Sequence, residues 1–253
     1  MKKVLSLVMA VLMLAAVLCA CAAPNAGTTP TTTQKPAPTD PTGTSSTNNG
    51  GNETNPVVVN LADYFADKAK WEDDGGFFDM TAEQIHFDNF SAGDYAALRM
   101  TEAYKDVTYK FNVTINQLAP VSMDDWTWWD SEFCVIARST LAASSWQEDG
   151  SQKGYTLTWW GDMTQVVIGR CGYDEACGTF DANIGDGQPH DIEFTVKSNA
   201  DGSVSLKLVI DGTVVADVVD TGAPRSDKPD RPTSYPDASG ITLRAKWLDL
   251  IVK

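Results

Sequence analysis

The sequence predicts an all-β domain, a two-sheet antiparallel sandwich. Apolar and polar residues alternate in run after run, tight-turn dipeptides punctuate the runs, and no long stretch has helical spacing. Period-two alternation marks a strand with one buried and one wetter side. Roughly ten such strands with turn signals and no long helix is the pattern of a sandwich. No internal repeat is visible, which counts against a propeller or solenoid.

In chain order, Leu61, Tyr64, Phe65 and Trp71 mark one short amphipathic turn ahead of the sheets. Strands are expected at 84–87 and 95–100, and then where Tyr109, Phe111, Val113 and Ile115 alternate with Thr108, Lys110, Asn112 and Thr114. Further strands are expected at 132–138, 155–160 and 165–170. Ile192, Phe194 and Val196 alternate with Asp191, Glu193, Thr195 and Lys197. Val204, Leu206, Leu208 and Ile210 alternate with Ser203, Ser205 and Lys207. Asp211-Gly212 is a two-residue hairpin signal, and Ala200-Asp201-Gly202 marks another tight turn. Near the end Ile241, Leu243, Ala245 and Trp247 share one face, opposite Thr242, Arg244 and Lys246. The phase then slips, because Leu248, Leu250 and Val252 are apolar on the other side. A bulge near Trp247-Leu248, or a strand end covered on both faces, would produce that slip.

The first 56 residues are of another kind. Lys2 and Lys3 precede an apolar run from Val4 to Leu18 that closes on Leu18-Cys19-Ala20-Cys21. A basic start, a short apolar core and small residues at the cut make an export signal. The run is shorter than the roughly 20 apolar residues a membrane span needs. Its Leu-x-Ala-Cys ending resembles the bacterial lipoprotein signal, which implies lipidation of Cys21 and a two-chain anchor strong enough to hold a protein at a membrane. Ala22 to Pro56 is mostly Thr, Pro, Ala, Gly, Asn and Ser, with no large apolar residue to bury against the entropy of ordering it. The expected organisation is therefore a signal peptide at 1–20, lipidated Cys21 and a disordered tether to residue 56, and a folded domain at 57–253. That places the domain on the extracellular face of the bacterial cell membrane.

Composition narrows the partners. A net charge of -15 disfavours nucleic acid and anionic lipid, leaving the lipid anchor as the only expected membrane contact. Beyond the signal the cysteines are Cys134, Cys171 and Cys177. The spacing from Cys171 to Cys177 could close a small disulfide loop in an oxidising compartment, or both could remain thiols. Three cysteines with only His86 and His190 show no paired zinc-ligand spacing. Asp181-Ala-Asn-Ile-Gly-Asp-Gly187 has oxygen ligands near calcium-loop spacing. It carries one residue too many and no suitably placed Glu, so an Asp/Asn/Gly turn is the ordinary reading. No metal and no cofactor is expected.

Four stretches then match a family in order. They are Ser91-Ala-Gly-Asp-Tyr-Ala-Ala-Leu-Arg99 with the strand after it, and Gly154-Tyr-Thr-Leu-Thr-Trp-Trp-Gly-Asp162 with Val166-Val-Ile-Gly-Arg170. Next come Gly187-Gln-Pro-His-Asp-Ile-Glu-Phe-Thr-Val196 with Leu206-Lys-Leu-Val-Ile-Asp-Gly212, and finally the run from Gly240 to Val252. Together they resemble the concanavalin A-like lectin/glucanase jelly roll, particularly laminin G-like and 3-keto-disaccharide hydrolase-type domains. There a Gly-x-x-His strand precedes a Val-Asp-Gly hairpin, and Ile210 stands here in place of the Val. The resemblance implies a sandwich and specifies a fold better than an activity. Hydrolases with this sandwich carry Glu-x-Asp-x-x-Glu on one strand, because retaining chemistry needs two carboxyls only ~5 Å apart. No such pattern occurs: Glu132 is followed by Phe133, Cys134 and Val135, and Glu193 by Phe194, Thr195 and Val196. No catalytic residue is assigned, and His190 and His86 are read as strand pins.

The candidate binding residues are aromatic and cationic. Trp126, Trp128 and Trp129 lie in Met123-Asp-Asp-Trp-Thr-Trp-Trp-Asp130, with Asp124, Asp125 and Asp130 beside them, and Trp146 lies in another loop-like stretch. Alternation places Trp160 on the sheet face away from Tyr155 and Leu157, whereas Trp71 and Trp247 are assigned to the core. Indole faces stack on pyranose rings, with a few polar groups fixing orientation. The competing role is packing beneath loops. Arg99 and Arg244 oppose the apolar phase of their strands and should project from a wetter face. Arg138, in a strand apolar on both phases, either joins them or marks the strand's end. Guanidinium forks suit hydroxyl pairs or carboxylates, and they also pair across strands with acids. The Pro-rich stretch 224–236, with Arg225, Arg231 and Tyr235, could wall one end of such a groove. The leading expectation is a non-catalytic carbohydrate-binding module for an oligo- or polysaccharide. A glycoside-acting hydrolase of the same fold and a structural or protein-adhesion domain are the alternatives.

Overall fold

A computed structural model describes residues 55–75, 78–90, 95–119, 131–143, 151–171, 175–223, 235 and 237–253. Their strands are β1 (Val57–Asn60), β2 (Trp71–Asp74), β3 (Phe78–Met80), β4 (Ile85–Asp88), β5 (Tyr95–Tyr104), β6 (Val107–Leu118), β7 (Glu132–Ser139) and β8 (Tyr155–Trp160). They continue as β9 (Gln165–Arg170), β10 (Glu175–Asp181), β11 (His190–Ser198), β12 (Val204–Ile210), β13 (Thr213–Asp220), β14 (Ser239–Lys246) and β15 (Leu248–Val252). The amphipathic turn at the start is a 3-10 turn, Leu61–Tyr64, which buries Leu61.

The fold is an all-β jelly-roll sandwich of two sheets. One sheet of eight strands runs β13-β12-β11-β6-β15-β4-β3 with β1 as its eighth strand beside β6, and the other of seven runs β10-β9-β8-β7-β14-β5-β2. The long β6 serves two partners along one edge: β1 lies parallel to Val107–Lys110, and β15 runs antiparallel beside its second half. Alternation directs Tyr109, Phe111, Phe194, Leu206 and Leu208 inward from one sheet and Phe133, Val135, Leu157, Trp159 and Leu243 from the other, all into one core. Each such residue contributes about 1.5–3 kcal/mol on burial. Asp211 and Gly212 both have positive φ (51° and 75°), the primed-turn geometry that matches strand twist, and they join β12 to β13.

The phase slip near the end is a corner between sheets. Trp247 has φ 51°; the chain leaves the seven-stranded sheet as β14 before it and enters the eight-stranded sheet as β15 after it. Ala245 and Leu248 therefore both face the core, each from a different layer. Buried Asn89 bridges the two sides of the corner. Its Nδ2 donates to the Ala245 carbonyl at 2.6 Å, and its Oδ1 accepts from the Leu248 amide at 3.2 Å.

The Cys171–Cys177 bridge is not formed, and both side chains are thiols. In the β9–β10 ladder Glu175 pairs with Arg170, and a bulge between Ala176 and Gly178 takes up Cys177 near Ile168. The two cysteines are thus more than two residues apart along the ladder, roughly 8 Å at the usual rise, beyond the ~6 Å a disulfide spans. They also lie on opposite faces: Cys177 packs against the main core, whereas Cys171 packs with Cys134 and Ile136 outside it. In the Asp181–Gly187 stretch, Asn183 Oδ1 accepts from the Gly185 amide and Asp186 Oδ1 from the Gln188 amide, which is ordinary turn chemistry.

Candidate functional site: the outer face of the seven-stranded sheet

Alternation builds this face strand by strand. With Phe133, Val135 and Ala137 inward, β7 turns Glu132, Cys134 and Ile136 outward. In the same way β14 presents Thr242, Arg244 and Lys246, β8 presents Thr156, Thr158 and Trp160, and β5 presents Ala97 and Arg99. Register arranges them in rows. One row reads Arg99, Thr242, Ile136, Thr156; the next reads Ala97, Arg244, Cys134, Thr158; the third reads Lys246, Glu132, Trp160. All eight residues of β7 are buried, on both faces, whereas the outward residues of β6, β11 and β12 are partly exposed or exposed. The centre of this face is withdrawn from solvent and is polar.

Its hub is Glu132. Arg244 donates to Glu132 Oε1 from Nε at 3.0 Å and also from Nη2, and Trp160 Nε1 donates to Oε2 at 3.1 Å. The pair is sealed, with 0% exposure of the Arg244 side chain and 3% of Glu132. Taking both ions out of water costs several kcal/mol each, which only close geometry and further hydrogen bonds offset. Ala97 stands opposite Arg244 in the ladder and leaves room for the guanidinium. Trp160 is partly exposed, and its N–H is committed to Glu132.

Arg99 lies at the other end of the face. It donates to the Ser139 carbonyl at 2.9 Å, to Ser239 Oγ at 3.3 Å and to its cross-strand partner Glu72 at 2.9 Å. Thr242 Oγ1 donates to Ser139 Oγ at 2.7 Å, and Ser139 Oγ donates to the Leu141 carbonyl at 3.1 Å, so the start of the β7–β8 connection folds back over this end. Cys134 is sealed against Thr158 Oγ1 at 3.3 Å, and burial pushes its thiol up to about 12, which keeps it protonated and unreactive.

Arg138 does not join this face. Ser139 pairs with Gly240 and Ala137 with Ile241, so Arg138 is the extra residue of a bulge, at φ 54°. The bulge reverses the phase: Arg138 turns inward and Ser139 takes the outer place. Its guanidinium donates to the carbonyls of Lys105 (2.9 Å) and Tyr235 (2.7 Å) and to Ser198 Oγ (2.8 Å), and it lies over the Tyr155 ring. Its role is to bolt the two sheets together at one end.

Both histidines are strand pins on the opposite sheet. His86 Nε2 meets Asp249 at 2.9 Å. His190 sits between Asp211 (Nδ1, 2.7 Å) and Asp186 (Nε2, 2.9 Å), a geometry that uses both ring nitrogens as donors. Burial draws its pKa down, but the two carboxylates outweigh burial and the net shift is upward.

The expected site residues thus separate. Trp160, Arg99 and Arg244 share one face, and Arg138 is inside the sandwich. Cys21, Trp126, Trp128, Trp129, Asp130, Trp146, Arg225 and Arg231 lie outside the described residues. Sequence reasoning missed Glu132, Asn89 and Ser139. A signal for the first existed: Glu132 and Arg244 are opposite charges on the outward phases of their strands. Among the described residues Glu132 is the single carboxylate of β7, β8, β9 and β14.

No family model matches the chain, and no curated protein sequence matches it. Among solved structures it is similar to the carbohydrate-binding module CBM66 from Bacillus subtilis, at 13% identity and a TM-score of 0.49, covering 73% of this chain and 92% of that one. It is also similar to the potassium-bound carbohydrate recognition domain of Emp46p, at 10% identity and a TM-score of 0.48, over 75% and 88% of the two chains. The alginate lyase Aly36B follows at 11% identity and a TM-score of 0.44, over 80% and 93%. Likenesses at this level concern the course of the chain and say nothing of a ligand.

Proposed function

We propose that the domain is a non-catalytic carbohydrate-binding module whose ligand surface is the outer face of the seven-stranded sheet. It is held at the extracellular face of the cell membrane by lipidated Cys21 and the tether through residue 56. One observation carries the reading: a partly exposed indole, Trp160, is fixed at the margin of that face by its N–H on Glu132, and Glu132 is itself held by buried Arg244. Aromatic walls with a few oriented polar groups are the make-up of a sugar site. Glu132 is occupied by Arg244 and Trp160, which suits it to positioning the indole and not to proton transfer. Hydrolysis would need two carboxylates at the scissile bond.

The test is affinity electrophoresis of the full chain, purified in detergent, through gels containing neutral and acidic polysaccharides. Retention by at least one polymer is expected. Trp160→Ala should weaken it by about 1–2 kcal/mol and Trp160→Phe by less, since stacking area carries the contact. No retention in any gel, or no effect of Trp160→Ala, would overturn the proposal. Release of reducing sugar during incubation would reinstate the hydrolase.

A further inference from the structure

We infer that the ligand of this face is a neutral glycan, recognised through hydroxyl groups and ring faces, and not a uronate or sulfated polymer. This rests on the glycan-binding reading above. The argument is one of charge on the face itself. Each described guanidinium there is already bound to a carboxylate of the same face, Arg244 to Glu132 and Arg99 to Glu72. Arg244 is 0% exposed and already holds Glu132 as its counter-ion, so it presents no cation to a sugar carboxylate. In the Arg99–Glu72 pair the carboxylate is the outer member, 56% exposed against 12% for the guanidinium, so the pair turns its negative end to solvent.

The surroundings reinforce this sign. Strand β2 flanks the face with Glu72, Asp73 and Asp74, all exposed. Lys246, on the outward phase of β14, has its ammonium 4.6 Å from the Trp247 ring centre, where the indole face holds it. The chain as a whole is at -15, and three basic residues (Lys2, Lys3, Lys35) but only two acidic ones (Asp40, Glu53) precede the domain, so the domain is the more acidic part. A polyanion would meet a repulsive field before reaching any contact. What the face does offer is exposed carboxylate at Glu72, which accepts from hydroxyls, and an indole ring whose own N–H is spent on Glu132. Acceptors and an apolar ring face match an uncharged polyol.

Matched polymers separate this inference from the reading beneath it. The full chain is run through gels of hydroxyethyl cellulose against carboxymethyl cellulose, methyl-esterified pectin against polygalacturonate, and desulfated against sulfated galactan, at roughly 20 and 500 mM salt. The expected result is retention by the neutral member of a pair, about tenfold or more over its anionic partner, and little changed by salt. Glu72→Gln, which uncovers the Arg99 cation, should raise retention by the anionic partner several-fold at low salt. Tighter, salt-sensitive binding to an anionic member in the unmodified chain overturns the inference while leaving glycan binding intact, as does a Glu72→Gln variant that gains nothing. No retention by either member of any pair overturns both.

Discussion

Replacing Glu132 with Gln keeps the shape of the side chain and removes its charge. The Arg244 guanidinium then lies fully buried beside an amide in place of its counter-ion, and either both Arg244 bonds to Oε1 or the Trp160 bond to Oε2 lose their acceptor. Breaking a buried pair from one side costs about 3–5 kcal/mol, and the neutral bond lost adds about 1 kcal/mol. A loss of ~5 kcal/mol is a large part of the roughly 5–15 kcal/mol by which domains are stable. With a urea m-value of about 2–3 kcal/mol/M the midpoint should fall by ~1.7–2.5 M. Removing both charges at once, as Glu132→Leu with Arg244→Met, leaves no buried ion and should cost within about 1–2 kcal/mol of nothing, the remainder being the Trp160 N–H left without its acceptor. Urea unfolding followed by far-UV circular dichroism reads both. A single substitution costing under ~1 kcal/mol would refute the reasoning, because the pair would then be solvated. So would a double variant as unstable as the sum of its parts, because the two groups would not be coupled.

Arg138→Met, which strips at least four hydrogen-bonding contacts from a buried cation site joining the sheets, should cost about 3–5 kcal/mol in urea unfolding while leaving glycan retention intact. At Gly240 an added Cβ would stand 1.8 Å from the Met100 carbonyl, so Gly240→Ala should displace β14 from β5 and lower the melting midpoint by about 3 kcal/mol equivalent or more. His190 has a folded pKa above its ordinary value, so its stabilisation is complete below about pH 6.5 and is lost as pH rises through the folded value. Asp186 is held down by the Gln188 amide and His190, and Asp211 by His190 and the Asp191 amide, so their share is present above about pH 4 and lost as pH falls. The unmodified protein should therefore lose melting temperature relative to His190→Asn as pH is raised from about 6 to 9; a constant difference would count against the clamp. The chain has only two histidines, so a proton NMR titration should resolve His190 directly, with its midpoint above the ordinary histidine value.

What the amino-acid sequence determined by itself is most of the strands, though not β1, β2, β3 or β10, together with the Asp211-Gly212 hairpin and the phase that turns Trp160 and Arg244 away from the core. These depend on period-two alternation, turn chemistry and composition, all set within a few residues of one another. The tertiary structure alone decided who meets whom. Glu132 finds Arg244 and Trp160 only because β7 lies between β14 and β8 in one particular register. Arg138 turns inward because a single extra residue opposite Gly240 and Ile241 reverses its phase. Cys171 and Cys177 separate because a bulge and the two sides of a sheet come between them. Pairings of this sort join residues far apart in the chain, 159 positions for Asn89 and Leu248 and 163 for His86 and Asp249. Local periodicity assigns a residue to a face, whereas register, a property of two strands at once, assigns it a neighbour.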